Sequence, residues 1–160
     1  MGVAGAGKTR IGVAFAQAIG ARFIDGDDFH PADNVAKMAR GIALDDADRG
    51  PWLRALAEEL RTGAERGEAV VLACSALKHA YRDVLRTGDP TLQIVFLHGS
   101  RPLISGRLEG RSGHYMPASL LDSQLATLEE PSLDERAWSC DVTASPEQIV
   151  ATLVTRARAS

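Results

Sequence analysis

Short apolar runs alternate with amphipathic stretches along the whole chain. Runs at residues 21–25, 69–74, 92–99 and 138–144 predict β-strands, because each is short and bounded by polar or turn-forming residues. The runs at 69–74 and 92–99 are almost wholly apolar, which is typical of strands buried on both faces. This alternation of strands with helical segments favours an α/β protein with a parallel sheet.

The stretches between these runs have the apolar spacing of amphipathic helices. Gly20 and Gly41 mark the ends of the first two stretches, and Pro31 and Pro51 begin the second and third. The predicted helices span residues 9–19, 31–41, 51–66, 75–86, 101–111, 118–128 and 146–159. A chain of 160 residues with this pattern predicts a single domain, residues 1–160, around one hydrophobic core.

Composition narrows the classes of partner. The net charge is −3 and no block of basic residues occurs, so the chain lacks the electrostatic signature of a nucleic-acid or anionic-membrane partner. No apolar stretch approaches the ~20 residues of a membrane span, and the glycine-rich start does not resemble a signal peptide. Cys74 and Cys140 lie in apolar runs, which favours reduced core thiols. We expect a cytoplasmic protein.

The start of the chain carries the most specific chemistry. Residues 2–9 read GVAGAGKT and fit the phosphate-binding pattern G-x-x-x-x-G-K-[ST]. In such a loop the backbone N–H groups cradle phosphates, Lys8 reaches the β- and γ-phosphates, and the Thr9 hydroxyl binds Mg²⁺. The alternative is a flexible glycine-rich terminus that fits by chance. The predicted nucleotide-binding residues are Gly2, Val3, Ala4, Gly5, Ala6, Gly7, Lys8 and Thr9.

An acidic cluster follows the first predicted strand. Asp25, Asp27 and Asp28 stand where ligands gather in open α/β sheets, beyond the carboxyl end of a strand. One carboxylate there suits the shell of a Mg²⁺ ion, and another suits a substrate hydroxyl whose proton it accepts. The alternative is a solvated acidic turn that caps the next helix.

Four further stretches carry a resemblance over nearly the whole chain. GDDFHP with N-x-x-K-M, ACSALK and GHYMPASLLDSQLATLE together resemble gluconokinases of the small, shikimate-kinase-like type. The resemblance implies ATP-dependent phosphorylation of D-gluconate to 6-phosphogluconate. It also implies a three-layer α/β/α P-loop nucleoside-triphosphate hydrolase fold around a five-stranded parallel sheet, a mobile lid near residues 107–120, and a homodimer.

The resemblance also suggests roles for individual residues. It favours Asp25, with Thr9, for Mg²⁺, and Asp27 for orienting the attacking 6-hydroxyl. Arg107 is expected beside the adenine, and Arg111 over the transferring phosphate. We therefore predict Lys8, Asp27 and Arg111 as catalytic residues. The predicted substrate-binding residues are Asp27, His30, Arg49, Lys78, His114 and Gln124.

Simpler interpretations stand beside several of these roles. His30 is also placed to cap the next helix, and Lys78 to be an exposed lysine in a first helical turn. Either lid arginine suits a solvated helix surface. Gly50 departs from the family pattern, which has a tryptophan after the position of Arg49. That change removes an aromatic wall from the predicted substrate site.

One expected element does not precede the loop. A phosphate-binding loop normally follows a strand, whereas here only Met1 comes before Gly2. In the implied fold this strand lies at the centre of the sheet. Without it, the two neighbouring strands would border an empty gap. We therefore hypothesise that the natural chain begins upstream of Met1. Finding Met1 or Gly2 at the mature N-terminus, by mass spectrometry of the native protein, would contradict this.

Two other functions remain open on the sequence. The first is a kinase for another small hydroxy acid such as shikimate, which a substrate panel distinguishes. The second is a nucleotide-binding protein without turnover, as a consequence of the short N-terminus and Gly50. It predicts ATP binding without gluconate-dependent release of ADP.

Overall fold

The computed structural model describes residues 1–109 and 118–159. Helices and strands alternate along the chain as the sequence pattern predicts. The helices are α1 (Lys8–Ile19), α2 (Ala32–Ala39), α3 (Asp46–Glu65), α4 (His79–Arg86), α5 (Arg101–Glu109), α6 (Ala118–Thr127) and α7 (Pro146–Ala159). The strands are β1 (Arg22–Asp25), β2 (Val70–Ala73), β3 (Val95–His98) and β4 (Trp138–Asp141). Short 3₁₀ turns occur at Gly26–Phe29 and Leu133–Glu135.

The four strands form two parallel pairs. Strand β1 pairs with β2, in a register that places Asp25 opposite Ala73. Strand β3 pairs with β4, with His98 opposite Asp141. Among the residues that the structure describes, β2 and β3 are not hydrogen-bonded to each other. The prediction of a parallel α/β arrangement is confirmed, and the sheet consists of two halves.

Helices cover both faces of the strands, which gives three layers. Helices α1 and α7 pack against one face, where Leu97, Cys140 and Val142 are buried. Helices α3 and α4 pack together on the other face, around Leu56 and Cys74. Side chains of successive strand residues point to opposite faces, so Val71 joins the first core while Val70 and Leu72 join the second.

Two predicted helix starts are wrong. Helix α3 begins at Asp46 instead of residue 51, because Asp45 and Asp48 form a reciprocal capping box that starts the helix before Pro51. Helix α4 begins at His79 instead of residue 75, and Ala76 has a positive φ of 43°. The segment between β2 and α4 is therefore a loop at the carboxyl end of the sheet. Cys74 and Cys140 are buried free thiols, as predicted.

The N-terminus lies between the two half-sheets. Leu97 N donates to Met1 O at 3.0 Å, and Gly2 N donates to Ser75 O at 3.2 Å. Met1 and Gly2 thus connect β3 to the end of β2, and the phosphate-binding loop starts between the two half-sheets. None of the described helices is long and apolar enough to cross a membrane.

Candidate active site

The loop at residues 2–9 has the backbone of a phosphate-binding loop. Gly5 and Gly7 have φ values of 82° and 93°, in the region that side chains disfavour, and Gly7 directly precedes α1. A Cβ atom on Gly5 would come within 2.9 Å of Leu108, so the loop also packs tightly beneath α5. A glycine-rich loop of this backbone that opens directly onto the N-terminal end of α1 favours bound phosphate.

Lys8 is folded back over this loop. Its Nζ donates to Val3 O at 3.1 Å, and Ala6 N donates to the same carbonyl at 3.2 Å. This places the ammonium group beside the loop's N–H groups instead of in open solvent. The cation and the loop amides together form an electropositive site that suits a nucleotide polyphosphate.

Thr9 and Asp25 are brought together from different elements. Thr9 Oγ1, in the first turn of α1, donates to Asp25 Oδ2 at the end of β1 over 2.9 Å. Asp25 Oδ1 accepts a 3.1 Å hydrogen bond from Asp27 N, which orients the carboxylate. A hydroxyl and a carboxylate beside a phosphate site match the donors that Mg²⁺ prefers, since Mg²⁺ keeps water and phosphate oxygens as its other ligands. The residues present therefore fit Mg²⁺.

A cavity of about 300 Å³ opens beside the loop. Four of the predicted substrate-binding residues line it together with Lys8: Asp27, His30, Arg49 and Gln124. Asp27 is exposed, with 82% of its side chain accessible, so its carboxylate is available to a ligand. The cavity thus combines a cation from the loop, an acceptor carboxylate and a second cation. These are the groups that a polyhydroxy acid and a phosphate require together.

His30 is held in place by packing. Its ring stacks on Trp52 with centroids 4.2 Å apart, and only 4% of its side chain is exposed. Burial lowers the pKa of His30, opposed by Asp27 and assisted by Arg49, so the ring is neutral at pH 7. Trp52 Nε1 donates to Gly26 O at 2.7 Å, which ties α3 to the acidic turn. His30 is therefore a neutral hydrogen-bonding group at the cavity wall.

Arg49 is a buried cation facing the same cavity. Its Nε donates to Leu44 O at 3.3 Å, and its guanidinium carbon lies 5.7 Å from the centre of the Tyr81 ring. Among the described residues no carboxylate forms an ion pair with Arg49. A buried guanidinium of this kind favours an anionic ligand. A Cβ atom on neighbouring Gly50 would lie 3.3 Å from Arg54 Nη1, a flexible group, so the helix has room for a side chain there.

Two lysines of the site region are paired with carboxylates. Lys37 Nζ contacts Asp48 at 2.6 and 2.8 Å, which fits a surface role on α2. Lys78 Nζ contacts Asp46 at 2.7 and 3.0 Å and does not line the 300 Å³ cavity. The substrate role of Lys78 stays a prediction.

Gln124 connects the loop to α6. Its Oε1 accepts a 2.7 Å hydrogen bond from Ala4 N. Arg107 lies on the opposite side of the loop, where its Nη2 donates to Val142 O at 2.6 Å. It lines a second cavity of about 280 Å³ together with Gly5, Gly7, Arg10 and Pro146. The two cavities thus lie on either side of the phosphate loop.

Two predicted residues, Arg111 and His114, lie outside the described residues. Sequence reasoning missed Trp52 as the support of His30, and it missed Ser123 and Thr127 as cavity residues. The signal for Thr127 was available, because it stands three residues after Gln124 in the same helix. On a helix, positions three residues apart share a face.

A phosphate loop that opens a helix, a strand-end carboxylate beside its threonine, and an adjoining polar cavity define a P-loop kinase. The shikimate kinase family model matches residues 4–158. A thermosensitive gluconokinase of Escherichia coli K12 is 46% identical over 136 residues, which cover 85% of this chain and 73% of that protein.

Solved structures agree with this class. A sugar kinase from Janibacter sp. HTCC2649 is 48% identical, with a TM-score of 0.92 over 97% of this chain and 90% of that one. A gluconokinase from Sinorhizobium meliloti 1021 is also 48% identical, with a TM-score of 0.86 over 94% of this chain and 85% of that one. The chain belongs to the gluconokinase group of the shikimate-kinase-like family, whose members are kinases that transfer phosphate to an alcohol.

Proposed function

We propose that this protein phosphorylates D-gluconate on its 6-hydroxyl with ATP. The observation that carries the proposal is one cavity lined by Lys8, Asp27 and Arg49. Gluconate has a carboxylate at one end and a primary hydroxyl at the other, so it needs a cation and an acceptor separated by a polar wall. Relatives named gluconokinase, at 46% and 48% identity, support this substrate.

The reaction assigns a task to each group. Arg49 holds the gluconate carboxylate, because a guanidinium offers two parallel N–H donors to two carboxylate oxygens. Asp27 accepts a hydrogen bond from the 6-hydroxyl and directs its oxygen at the γ-phosphorus. The new P–O bond forms as the bond to the β-phosphate oxygen breaks, and the hydroxyl proton passes to Asp27. Lys8 and the loop amides stabilise the charge on the departing ADP.

The remaining site residues complete the two ligand sites. His30 and Gln124 donate or accept hydrogen bonds along the gluconate chain, and Lys78 is assigned to the same substrate. Arg107 and the second cavity receive the adenosine end of ATP. Arg111 and His114 are assigned to the lid that covers the transferring phosphate. Thr9 and Asp25 hold Mg²⁺, which neutralises phosphate charge when it is bound.

The cellular location and the oligomeric state of the enzyme are also proposals. Use of ATP on a small sugar acid suits the cytoplasm. A homodimer is proposed from the resemblance, and Val35 and Ile42, which are 50% and 47% exposed, are the candidates for its contact. Light scattering of the purified protein, beside a Val35→Asp/Ile42→Asp variant, measures this directly. A dimer that persists in the variant would exclude this face as the contact.

The proposed function is tested by ADP release from MgATP with gluconate, shikimate or no acceptor. Release that depends on gluconate, and not on shikimate, is expected. Release of ADP with shikimate and not with gluconate would show that the substrate is a different hydroxy acid. Saturable ATP binding with no acceptor-dependent release would show a nucleotide-binding protein without turnover. Arg49→Lys is the companion variant, expected to raise the KM for gluconate about 10- to 100-fold because the bidentate contact is lost.

A further inference from the structure

The acidic run that precedes Arg49 does not neutralise it. Residues 45–48 read DDAD, and Arg49 itself is buried, with 9% of its surface exposed. Among the residues that the structure describes, no carboxylate lies within ion-pairing distance of its guanidinium. A buried cation without a partner is unfavourable unless a ligand supplies the negative charge. Contacts elsewhere must therefore hold three nearby carboxylates away from this cation.

Two of these carboxylates are committed to the start of α3. Asp45 Oδ1 accepts from Asp48 N at 2.8 Å, and Asp48 Oδ2 accepts from Asp45 N at 3.0 Å. Lys37 Nζ contacts both oxygens of Asp48, at 2.6 and 2.8 Å. The capping box and this lysine thus account for Asp45 and Asp48.

Asp46 is the third carboxylate, and its position suits an ion pair with Arg49. The two residues stand three positions apart in α3, and side chains at that spacing share one face of a helix. Asp46 nevertheless contacts Lys78 Nζ, at 2.7 and 3.0 Å, and it accepts a hydrogen bond from the Tyr81 hydroxyl. These two contacts direct its charge toward the start of α4 and away from Arg49.

The contact with Tyr81 is the better protected of the two. The hydrogen bond from Tyr81 to Asp46 is partly buried, whereas the ion pair with Lys78 is exposed. Water and salt screen an exposed ion pair, while a hydrogen bond to a charged acceptor is strong where water is excluded. Hydrogen bonds from Lys78 and Tyr81 lower the pKa of Asp46, and burial with the Asp46 contact raises the pKa of Tyr81. At neutral pH the carboxylate is therefore ionised and the hydroxyl is a donor.

The ring of Tyr81 also contacts Arg49. The guanidinium carbon lies 5.7 Å from the ring centre, within the range of a cation–π contact. Such a contact stabilises a cation without cancelling its charge. Tyr81 is buried in the core that contains Leu56 and Cys74. One side chain thus supports Arg49 through its ring and holds the competing carboxylate through its hydroxyl.

We propose that Tyr81 is a positioning residue for gluconate binding: its hydroxyl holds Asp46 in place and so keeps Arg49 available to the substrate carboxylate. This inference rests on the proposed function, because it requires Arg49 to bind gluconate. Without the hydroxyl, Asp46 turns toward Arg49 and competes with the substrate. The affinity for gluconate then falls, while the phosphate loop, which is formed by other residues, keeps its affinity for ATP.

The test is a loss of gluconate affinity and its reversal. Tyr81→Phe removes the hydroxyl and keeps the ring, and Tyr81→Phe/Asp46→Asn also removes the competing charge. Tyr81→Phe/Asp83→Asn is the matched control, because Asp83 is an exposed carboxylate whose ion pairs lie within α4. Steady-state kinetics are measured with gluconate and with ATP varied in turn. Exchange of the Arg49 guanidinium protons with solvent is measured by NMR without substrate.

Tyr81→Phe is expected to raise the KM for gluconate about 5- to 20-fold, as for the loss of one hydrogen bond to a charged group. The kcat and the KM for ATP should stay within about twofold of the wild type, since only the binding of gluconate is weakened. Adding Asp46→Asn should restore the KM for gluconate, and adding Asp83→Asn should leave it raised. The guanidinium protons of Arg49 should exchange more slowly in Tyr81→Phe than in the wild type, because a carboxylate then binds them.

An unchanged KM for gluconate in Tyr81→Phe would overturn the proposal, and so would a raised KM that Asp46→Asn does not restore. A wild type that releases no ADP with gluconate would refute the proposed function by that result alone. The proton exchange of Arg49 then decides whether Tyr81 keeps Asp46 away from it. Slower exchange in Tyr81→Phe, reversed by Asp46→Asn, supports this arrangement, and unchanged exchange overturns it.

Discussion

The backbone amide of Ala4 donates a 2.7 Å hydrogen bond to the side-chain oxygen of Gln124, a residue 120 positions away in sequence. The bond joins the phosphate loop to α6 at the wall of the proposed gluconate cavity. An amide of the loop that receives the polyphosphate is thus held by a side chain that also faces the second substrate. Gln124 is in a position to couple the two ligand sites.

Replacement of Gln124 by leucine keeps the size of the side chain and removes the acceptor. We expect kcat/KM for gluconate to fall about 10- to 100-fold, because a partly buried amide loses its partner and the loop loses a fixed position. Steady-state kinetics with each substrate varied in turn measures this. Gln17→Leu on the exposed face of α1 is the matched control. Equal kinetics of the two variants would contradict the coupling.

Asp27 and Asp28 are adjacent exposed carboxylates, but only Asp27 lines the cavity. Asp27→Asn is expected to lower kcat by about 100- to 10,000-fold, the range of general-base catalysis, and to leave the Kd for ATP nearly unchanged. Asp28→Asn should retain close to full kcat. Stopped-flow or coupled assays with both variants give the comparison, and similar losses in both would remove Asp27 from its assigned role.

Thr9 Oγ1 donates to Asp25 Oδ2 over 2.9 Å, and both residues are proposed to bind Mg²⁺. Thr9→Val removes the hydroxyl and retains the shape, so the Mg²⁺ concentration for half-maximal rate should rise about tenfold or more. Thr9→Ser keeps a hydroxyl and is expected to remain near the wild-type value. The titration is performed at fixed ATP. An unchanged Mg²⁺ requirement in Thr9→Val would place the metal elsewhere.

A buried ion pair fixes the segment that follows α6. Arg82 is fully buried and contacts Glu135 in bidentate fashion at 2.6 and 2.7 Å, and Arg82 Nη1 also donates to Glu129 O at 3.1 Å. Glu135→Gln leaves a buried cation without its charge partner, which costs about 3–5 kcal/mol and should lower the Tm by roughly 10 °C. Glu58→Gln, in an exposed pair, should shift it by less than about 2 °C.

The same pair predicts an acid transition. The hydrogen bond from Arg82 lowers the pKa of Glu135 from its usual 4.5 to about 2. A lowered pKa in the folded state stabilises the protein fully above pH 4.5, and this stabilisation is lost as the pH falls from 4.5 to 2. The loss is about 3 kcal/mol in the free energy of unfolding. The free energy of unfolding, measured with denaturant at several pH values, should decrease by this amount as the pH falls below 4.5 in the wild type. It should not show this decrease in Glu135→Gln.

The order of elements and the phosphate site were predictable from sequence for definite physical reasons. Short apolar runs of strand length indicate β-strands. The pattern G-x-x-x-x-G-K-[ST] indicates a loop that binds phosphate. The pairing of Thr9 with Asp25 followed because both stand at the carboxyl end of the sheet. A parallel sheet brings the carboxyl ends of its strands to one edge. Residues at these positions can therefore be predicted to be neighbours from the sequence alone.

Contacts between distant segments could not be predicted in this way. Nothing in the local sequence pairs Gln124 with Ala4 or Lys78 with Asp46, because both depend on how helices dock. The start of α3 was missed for a local reason: Pro51 suggested the first turn, while the capping box at Asp45 and Asp48 begins the helix earlier. Pro51 therefore lies inside α3, beyond the first turn, and the helix lacks one backbone N–H donor there.

The most direct test of the proposed function is phosphorus NMR of the product formed from MgATP and gluconate by this chain. The predicted result is one new phosphomonoester signal split by two protons, as expected for a phosphate on the primary 6-carbon, formed together with ADP. The signal should be absent with Asp27→Asn and retained with Asp28→Asn. Inorganic phosphate as the only product, or an ester signal split by a single proton, would contradict transfer to the 6-hydroxyl of gluconate.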